Sequence, residues 1–146
     1  MKTVVKKFDE LSVYELYKIL RARCEIFVVE QNCVYQDLDD IDQEAIHVYL
    51  EDEGEIVAYA RVIDKNKRLD EVSIGRVIST KRRKGYGSAV MKACIEVAKS
   101  YFGAKVIKIG AQAYAAAFYQ PLGFTVVSDL YLEDGIPHYY MIYKEN

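Results

Sequence analysis

The sequence predicts an α/β or α+β fold, in which helices pack on a mixed sheet. Three observations predict it. Apolar runs of strand length alternate with longer segments of helical period. Glu53-Gly54 and Glu133-Asp134-Gly135 are turn sequences between apolar runs, so hairpins stand on both sides of a helical middle. Ile74 to Tyr101 reads as a β-branched strand, a basic glycine turn and a long amphipathic helix.

Residues 2–9 read as a short strand around Val4 and Val5. Ser12 and Glu15 have capping-box spacing, and the helix they open is expected to reach about Val28. Tyr14, Tyr17, Leu20, Cys24 and Phe27 form its expected buried stripe. Residues 29–44 are polar, acidic and without period, and read as a surface loop with room for one helical turn. A loop of this length is often functional. Its Asp37, Asp39, Asp40, Asp42 and Glu44 superficially suggest calcium, but the central Gly and terminal bidentate Glu of an EF-hand loop are missing.

Residues 45–51 and 55–64 read as a hairpin, and 69–79 as the strand entering the glycine turn. The helix that follows carries Val90, Cys94, Val97 and Tyr101 on one face. Residues 106–110 read as a short buried strand. AYAAAFYQPLGF is helical in its Ala-rich part and stopped by Pro121 and Gly123. TVVSDLYL and PHYYMIY close the chain as two strands.

The 146 residues suffice for one domain with a proper core, and 1–146 is read as a single domain. A net charge of −2 gives no reason to expect nucleic acid as a partner. No stretch is long and apolar enough to span a bilayer, so no membrane partner is expected. MKTVVKKFDEL places charges where a signal peptide needs its apolar region, and a cytoplasmic location is the expectation. Cys24, Cys33 and Cys94 are odd in number and far apart, which argues against a metal site or a disulfide.

The glycine turn carries the chemistry. Gly85 and Gly87 allow a tight bend and a close approach to the backbone. At a helix start the first amides lack intrahelical partners, and the helix dipole adds partial positive charge. Lys81, Arg82, Arg83 and Lys84 surround the spot. A pyrophosphate suits such a site because it uses several donors at once. A solvated basic loop before an ordinary helix is the other reading. The motif is neither a P-loop, which needs Lys-Ser or Lys-Thr, nor a dinucleotide fingerprint, which needs a third glycine.

Arg82-x-x-Gly85-x-Gly87 resembles the acetyl-CoA signature of the GNAT N-acetyltransferases, R/Q-x-x-G-x-G/A. Gln112-x-x-Ala115, Phe118-Tyr119 and Gly123-Phe124 resemble that family's second motif, N-x-x-A-x-x-L-Y followed by G-F. The likeness spans nearly the whole chain and is closest to the ElaA-type branch, through RARCEIFVVEQNCVYQDLDDID, FYQPLGF and LEDGIPH. Arg83 stands where Gly is usual, in a turn shorter than in many relatives.

The resemblance implies the GNAT fold: a central, mixed, mostly antiparallel twisted sheet of about seven strands with helices on both faces. It implies acetyl transfer from acetyl-CoA to a primary amine, by direct attack in a ternary complex and without a metal. The partners would be acetyl-CoA and a small-molecule or peptide amine, with a homodimer possible in this fold. Val77, Ile78, Arg82, Arg83, Lys84, Gly85, Tyr86, Gly87, Ser88, Gln112 and Tyr119 would hold the coenzyme. Tyr119 would protonate the leaving thiolate, and Glu71 or Glu30 would serve as base.

Other readings stay open. His47 and His138 are the only histidines and titrate in the useful range, yet each also suits a structural role. Arg21 and Arg23 flank the first helix's stripe, while Arg61 and Arg76 interrupt apolar strands. They form either an ion-pair network, with residues such as Glu30 as partners, or a pocket for a polar acceptor. A CoA or acyl-CoA sensor of the same fold, or an interaction domain, would also fit the motifs.

Overall fold

The structure is a computed structural model that describes residues 1–80 and 84–145. Eight strands form one sheet: β1 (Lys2–Lys7), β2 (Ile46–Asp52), β3 (Glu55–Ile63), β4 (Val72–Ser79), β5 (Val106–Gln112), β6 (Phe124–Val126), β7 (Tyr131–Glu133) and β8 (Ile136–Lys144). Their order is β1-β2-β3-β4-β5-β8-β6, with β7 also paired to β8. All pairings are antiparallel except β4 with β5. The helices are α1 (Val13–Arg23), α2 (Tyr86–Phe102) and the single turn α3 (Ala116–Tyr119).

Alternation along the strands assigns the two faces. Val48, Leu50, Ala58, Ala60 and Val62 pack with Val90, Met91, Cys94 and Ala98 of α2. Tyr49 and Tyr59, one step out of phase, pack with Ile19 of α1 on the other face. Helices on both faces and a mixed, mostly antiparallel sheet therefore match the sequence expectation.

Two elements depart from it. The Ser12–Glu15 capping box is present, but Tyr14 and Tyr17 are exposed, and α1 buries Ile19 and Arg23. A narrow stripe suffices because the sheet beneath already carries Tyr49 and Tyr59. The helix then widens into π-type turns over Cys24–Glu30, which shifts the phase of later side chains. The second departure is TVVSDLYL, which is two strands rather than one. Val127 N–H donates to the Tyr140 carbonyl, and Tyr140 N–H donates to Ser128 Oγ. Ser128 thus takes a ladder position, and the chain bends there before β7 resumes pairing.

The feature that makes a site is the junction of β4 and β5. Their parallel register covers only Val72↔Ile107 and Ser73↔Lys108. Beyond it β4 carries a bulge: Arg61 pairs with Gly75 and Tyr59 with Ile78, so Arg76 and Val77 oppose the single residue Ala60. Arg76 has φ +52°, a left-handed conformation rare for a non-glycine residue. A bulge bends its strand, and past Ser73 the two strands part and open a cleft through the sheet.

Candidate active site

The cleft has a volume of about 680 Å³. Two faces of the sheet contribute to it. Gly85, Tyr86, Gly87, Ser88, Phe118 and Tyr119 come from the α2 face. Glu30, Gln31, Tyr35, Glu133 and His138 come from the α1 face and its loops. Val77 and Ile78 of β4 and Gln112 of β5 line the gap between the two strands.

Gly85 caps α2 with φ +76°, and the first bond of the helix runs from Ala89 N–H to the Gly85 carbonyl, at 3.1 Å. The amides of Tyr86, Gly87 and Ser88 precede that bond at the rim of the cleft. A Cβ on Gly87 would meet the Phe118 ring at 3.2 Å, so the aromatic ring and the helix start are in close contact. Tyr119 is buried, with its ring edge-on to Phe118 and Phe124. Burial pushes its hydroxyl above the ordinary tyrosine range, so it keeps its proton at neutral pH.

Opposite, the loop after α1 is fastened by three arginines. Arg23 Nε lies 3.0 Å from Asp37 Oδ2, and its Nη1 lies 2.7 Å from Asp42 Oδ1. Arg61 Nη1 donates to both Asp42 and Asp39, at 2.8 and 2.9 Å. Arg76 Nε pairs with Asp37 Oδ1 at 2.9 Å, and its Nη2 reaches the Asp37 carbonyl at the same distance. Burial alone would raise the Asp39 and Asp42 carboxyls; the arginine bonds and charges outweigh it and hold both below the usual range. His47 is sealed beneath, its Nε2 2.8 Å from the Asp42 carbonyl and Nδ1 2.7 Å from the Tyr59 hydroxyl. Burial lowers its affinity for a second proton.

The expected site residues separate accordingly. Val77, Ile78, Gly85, Tyr86, Gly87, Ser88, Gln112, Tyr119 and Glu30 all line the cleft. Lys84 is exposed and outside the lining, and Arg82 and Arg83 lie outside the described residues. Glu71 is not brought in: it precedes β4 at the closed end, where Val72 and Ser73 are still paired with β5. Arg23, Arg61 and Arg76 form the ion-pair network, but with Asp37, Asp39 and Asp42 rather than Glu30. No spacing signal points to Tyr35, Arg68 or Glu133 in the cleft, because three distant segments deliver them.

Among the described residues no helix is long and apolar enough to cross a membrane, and no group of three or more His, Cys, Asp and Glu is placed to hold a metal ion.

Residues 13–145 match the family of the acetyltransferase (GNAT) domain. The protein ElaA of Escherichia coli is 43% identical over 134 residues, covering 89% of this chain and 88% of ElaA. A UPF0039 protein of Schizosaccharomyces pombe is 42% identical over 142 residues, 94% of this chain and 93% of its own. The crystal structure of E. coli ElaA superposes with a TM-score of 0.90, covering 98% of this chain and 99% of that one. An acyl-CoA N-acyltransferase from Pseudomonas aeruginosa does so with the same score and coverage, at 34% identity.

Proposed function

The chain belongs to the GNAT acetyltransferase family, in its ElaA branch, and from that premise we propose that it is an N-acetyltransferase moving the acetyl group of acetyl-CoA to a primary amine. The observation that carries the reading is the cleft itself. One gap in the sheet joins a glycine-capped helix start and a buried tyrosine on one face to Glu30, Glu133 and His138 on the other. Two substrates entering from opposite faces would meet between β4 and β5, which suits direct transfer in a ternary complex.

The amides of Tyr86, Gly87 and Ser88 are the proposed site for the coenzyme's pyrophosphate, since a helix start offers several donors and a favourable dipole. Val77 and Ile78 would hold the pantetheine arm and the thioester carbonyl through backbone amides, with Gln112 across the gap. Tyr119 is the proposed acid toward the sulfur. Its retained proton and cleft position support that role, because a thiolate leaves more readily when protonated as the C–S bond breaks. Glu71 has no part in the proposal.

Calorimetry with CoA and a thiol-release assay against an amine panel test the reading. Binding with no thiol released from any amine would make the chain a coenzyme sensor; no heat at all would remove the pyrophosphate site. Gly87→Glu should weaken CoA at least tenfold, a loss of about 1.4 kcal/mol, with the circular-dichroism spectrum kept. The new carboxylate would enter the anion site and displace the Phe118 ring. Tyr119→Phe should lower kcat by about a hundredfold while the CoA Kd barely moves; unchanged turnover would eliminate the hydroxyl as the acid.

A further inference from the structure

We infer that His138, with Glu133 beside it, takes the proton from the acceptor amine. The inference rests on the transferase reading above and adds the residue that reading lacks.

His138 is 6% exposed and lines the cleft. Its Nδ1 lies 2.6 Å from the Ile136 carbonyl. A carbonyl only accepts, so Nδ1 carries the hydrogen and the neutral ring keeps its lone pair on Nε2. Nε2 faces Glu133 Oε2 at 3.6 Å. That separation is beyond hydrogen bonding, so the Nε2 lone pair and the carboxylate stand as two acceptors side by side, a setting that an N–H-bearing amine can bridge. The ring is steadied by Tyr131, whose centroid lies 5.7 Å away at 32°.

Position agrees with tautomer. His138 pairs across the ladder with Gln112, and directly opposed residues point to the same face. The Gln112 amide meets that of Gln31, from the turns after α1, at 3.4 Å. His138 therefore stands on the α1 side of the gap, and Tyr119 on the α2 side. An amine arriving from the α1 side meets a proton acceptor, and the sulfur leaves beside a proton donor.

The competing bases are placed differently. His47 has both ring nitrogens engaged away from the cleft. Glu71 is outside the lining. Glu30 lines the cleft but is exposed, at the end of the π-type turns, with no ion-pair partner among the described residues. Its charge suits drawing a cation in rather than holding a proton acceptor in register. Among the described residues, the charged and titratable groups beside His138 are Glu133 and Tyr131 on β7, with Arg68 acting through its 3.3 Å pair with Glu133 and Tyr140 stacked on Tyr131.

In the step itself, the neutral amine forms its N–C bond to the thioester carbonyl. His138 Nε2 accepts the proton shed by that nitrogen. The C–S bond breaks with its electron pair on sulfur, which takes the Tyr119 proton. The imidazolium then returns its proton through solvent, and the Tyr119 oxygen regains one. An amine and a thioester become an amide and a thiol, with no oxidant or reductant.

The test uses the full chain, acetyl-CoA, and 1,4-diaminobutane and alaninamide as acceptors. His138→Ala should lower kcat about a hundredfold while KM for acetyl-CoA stays within about twofold. Added imidazole should restore the rate in proportion to its neutral form, an effect that a purely structural histidine would not show. A variant that turns over like the wild type, or that stays folded and binds CoA yet resists rescue, overturns the inference alone. Should the variant not fold, long-range 1H–15N correlation of wild-type His138 at neutral pH decides: the Nδ1–H tautomer is expected, and an Nε2-bound hydrogen overturns the inference. Wild-type protein that releases no thiol with either amine overturns the transferase reading, and the inference with it.

Discussion

Arg23 shows how a residue's neighbours decide what its charge means. Its side chain is fully buried, a costly place for a cation unless every donor is engaged. Asp37 and Asp42 engage it, Arg61 shares Asp42, and Arg76 shares Asp37. Removing one member strands the others. Arg23→Met should therefore destabilise the fold by about 3–5 kcal/mol in urea unfolding, far more than an exposed arginine would. A loss under about 1 kcal/mol, the usual worth of a surface pair, would mean that the network is not closed. Arg61 and Arg76 stand out in the sequence because they interrupt apolar strands, and Arg23 because it flanks the first helix's stripe. Their partners do not, because Asp37, Asp39 and Asp42 carry no more signal than Asp40 beside them, which is exposed.

Among the elements, α1 was half legible. Its start was written in the side chains: Ser12 Oγ accepts from Glu15 N–H at 3.0 Å, and the Glu15 carboxylate accepts from Ser12 N–H at 2.9 Å. Its buried face was not, because aromatic residues at helical spacing suggest a core that the sheet below does not need. Glu15 also binds Lys6 and the Tyr49 hydroxyl, tying the helix start to β1 and β2. Burial works against its ionisation, but the Ser12 amide, Tyr49 and Lys6 prevail and bring its pKa from 4.5 to about 2. A carboxyl with a depressed folded pKa stabilises the fold fully above its unfolded value and loses that contribution on acidification. Stability should thus fall between pH 4.5 and about 2, and Glu15→Gln should be less stable at neutral pH with a shallower acid limb. Parallel acid limbs for the two proteins in pH-resolved urea titrations would contradict this.

Across the whole molecule, the succession of elements and the two motifs were readable because each is local: a turn, a cap, a run of β-branched residues. The cleft was not, because it is an absence of pairing between strands separated by α2. No spacing in a chain reports where a ladder stops. The bulge at Arg76 is equally silent, since a left-handed arginine breaks the habit that Gly usually serves. The aspartates of the loop clamp that arginine, and so the same loop that walls the cleft also holds the strand bent open.

The brief seam at Val72 and Ser73 has one more consequence. Below it, two strands display their margins to each other across empty space inside the protein. Unpaired margins ordinarily invite a stranger's strand and lead to clumping. Here helix and loop border the gap, and the slender, amide-bearing arm of the proposed coenzyme is the visitor that would fill it. In deuterium exchange, backbone amides bordering the gap should swap quickly in the lone protein and slow sharply once such a visitor stitches the halves together.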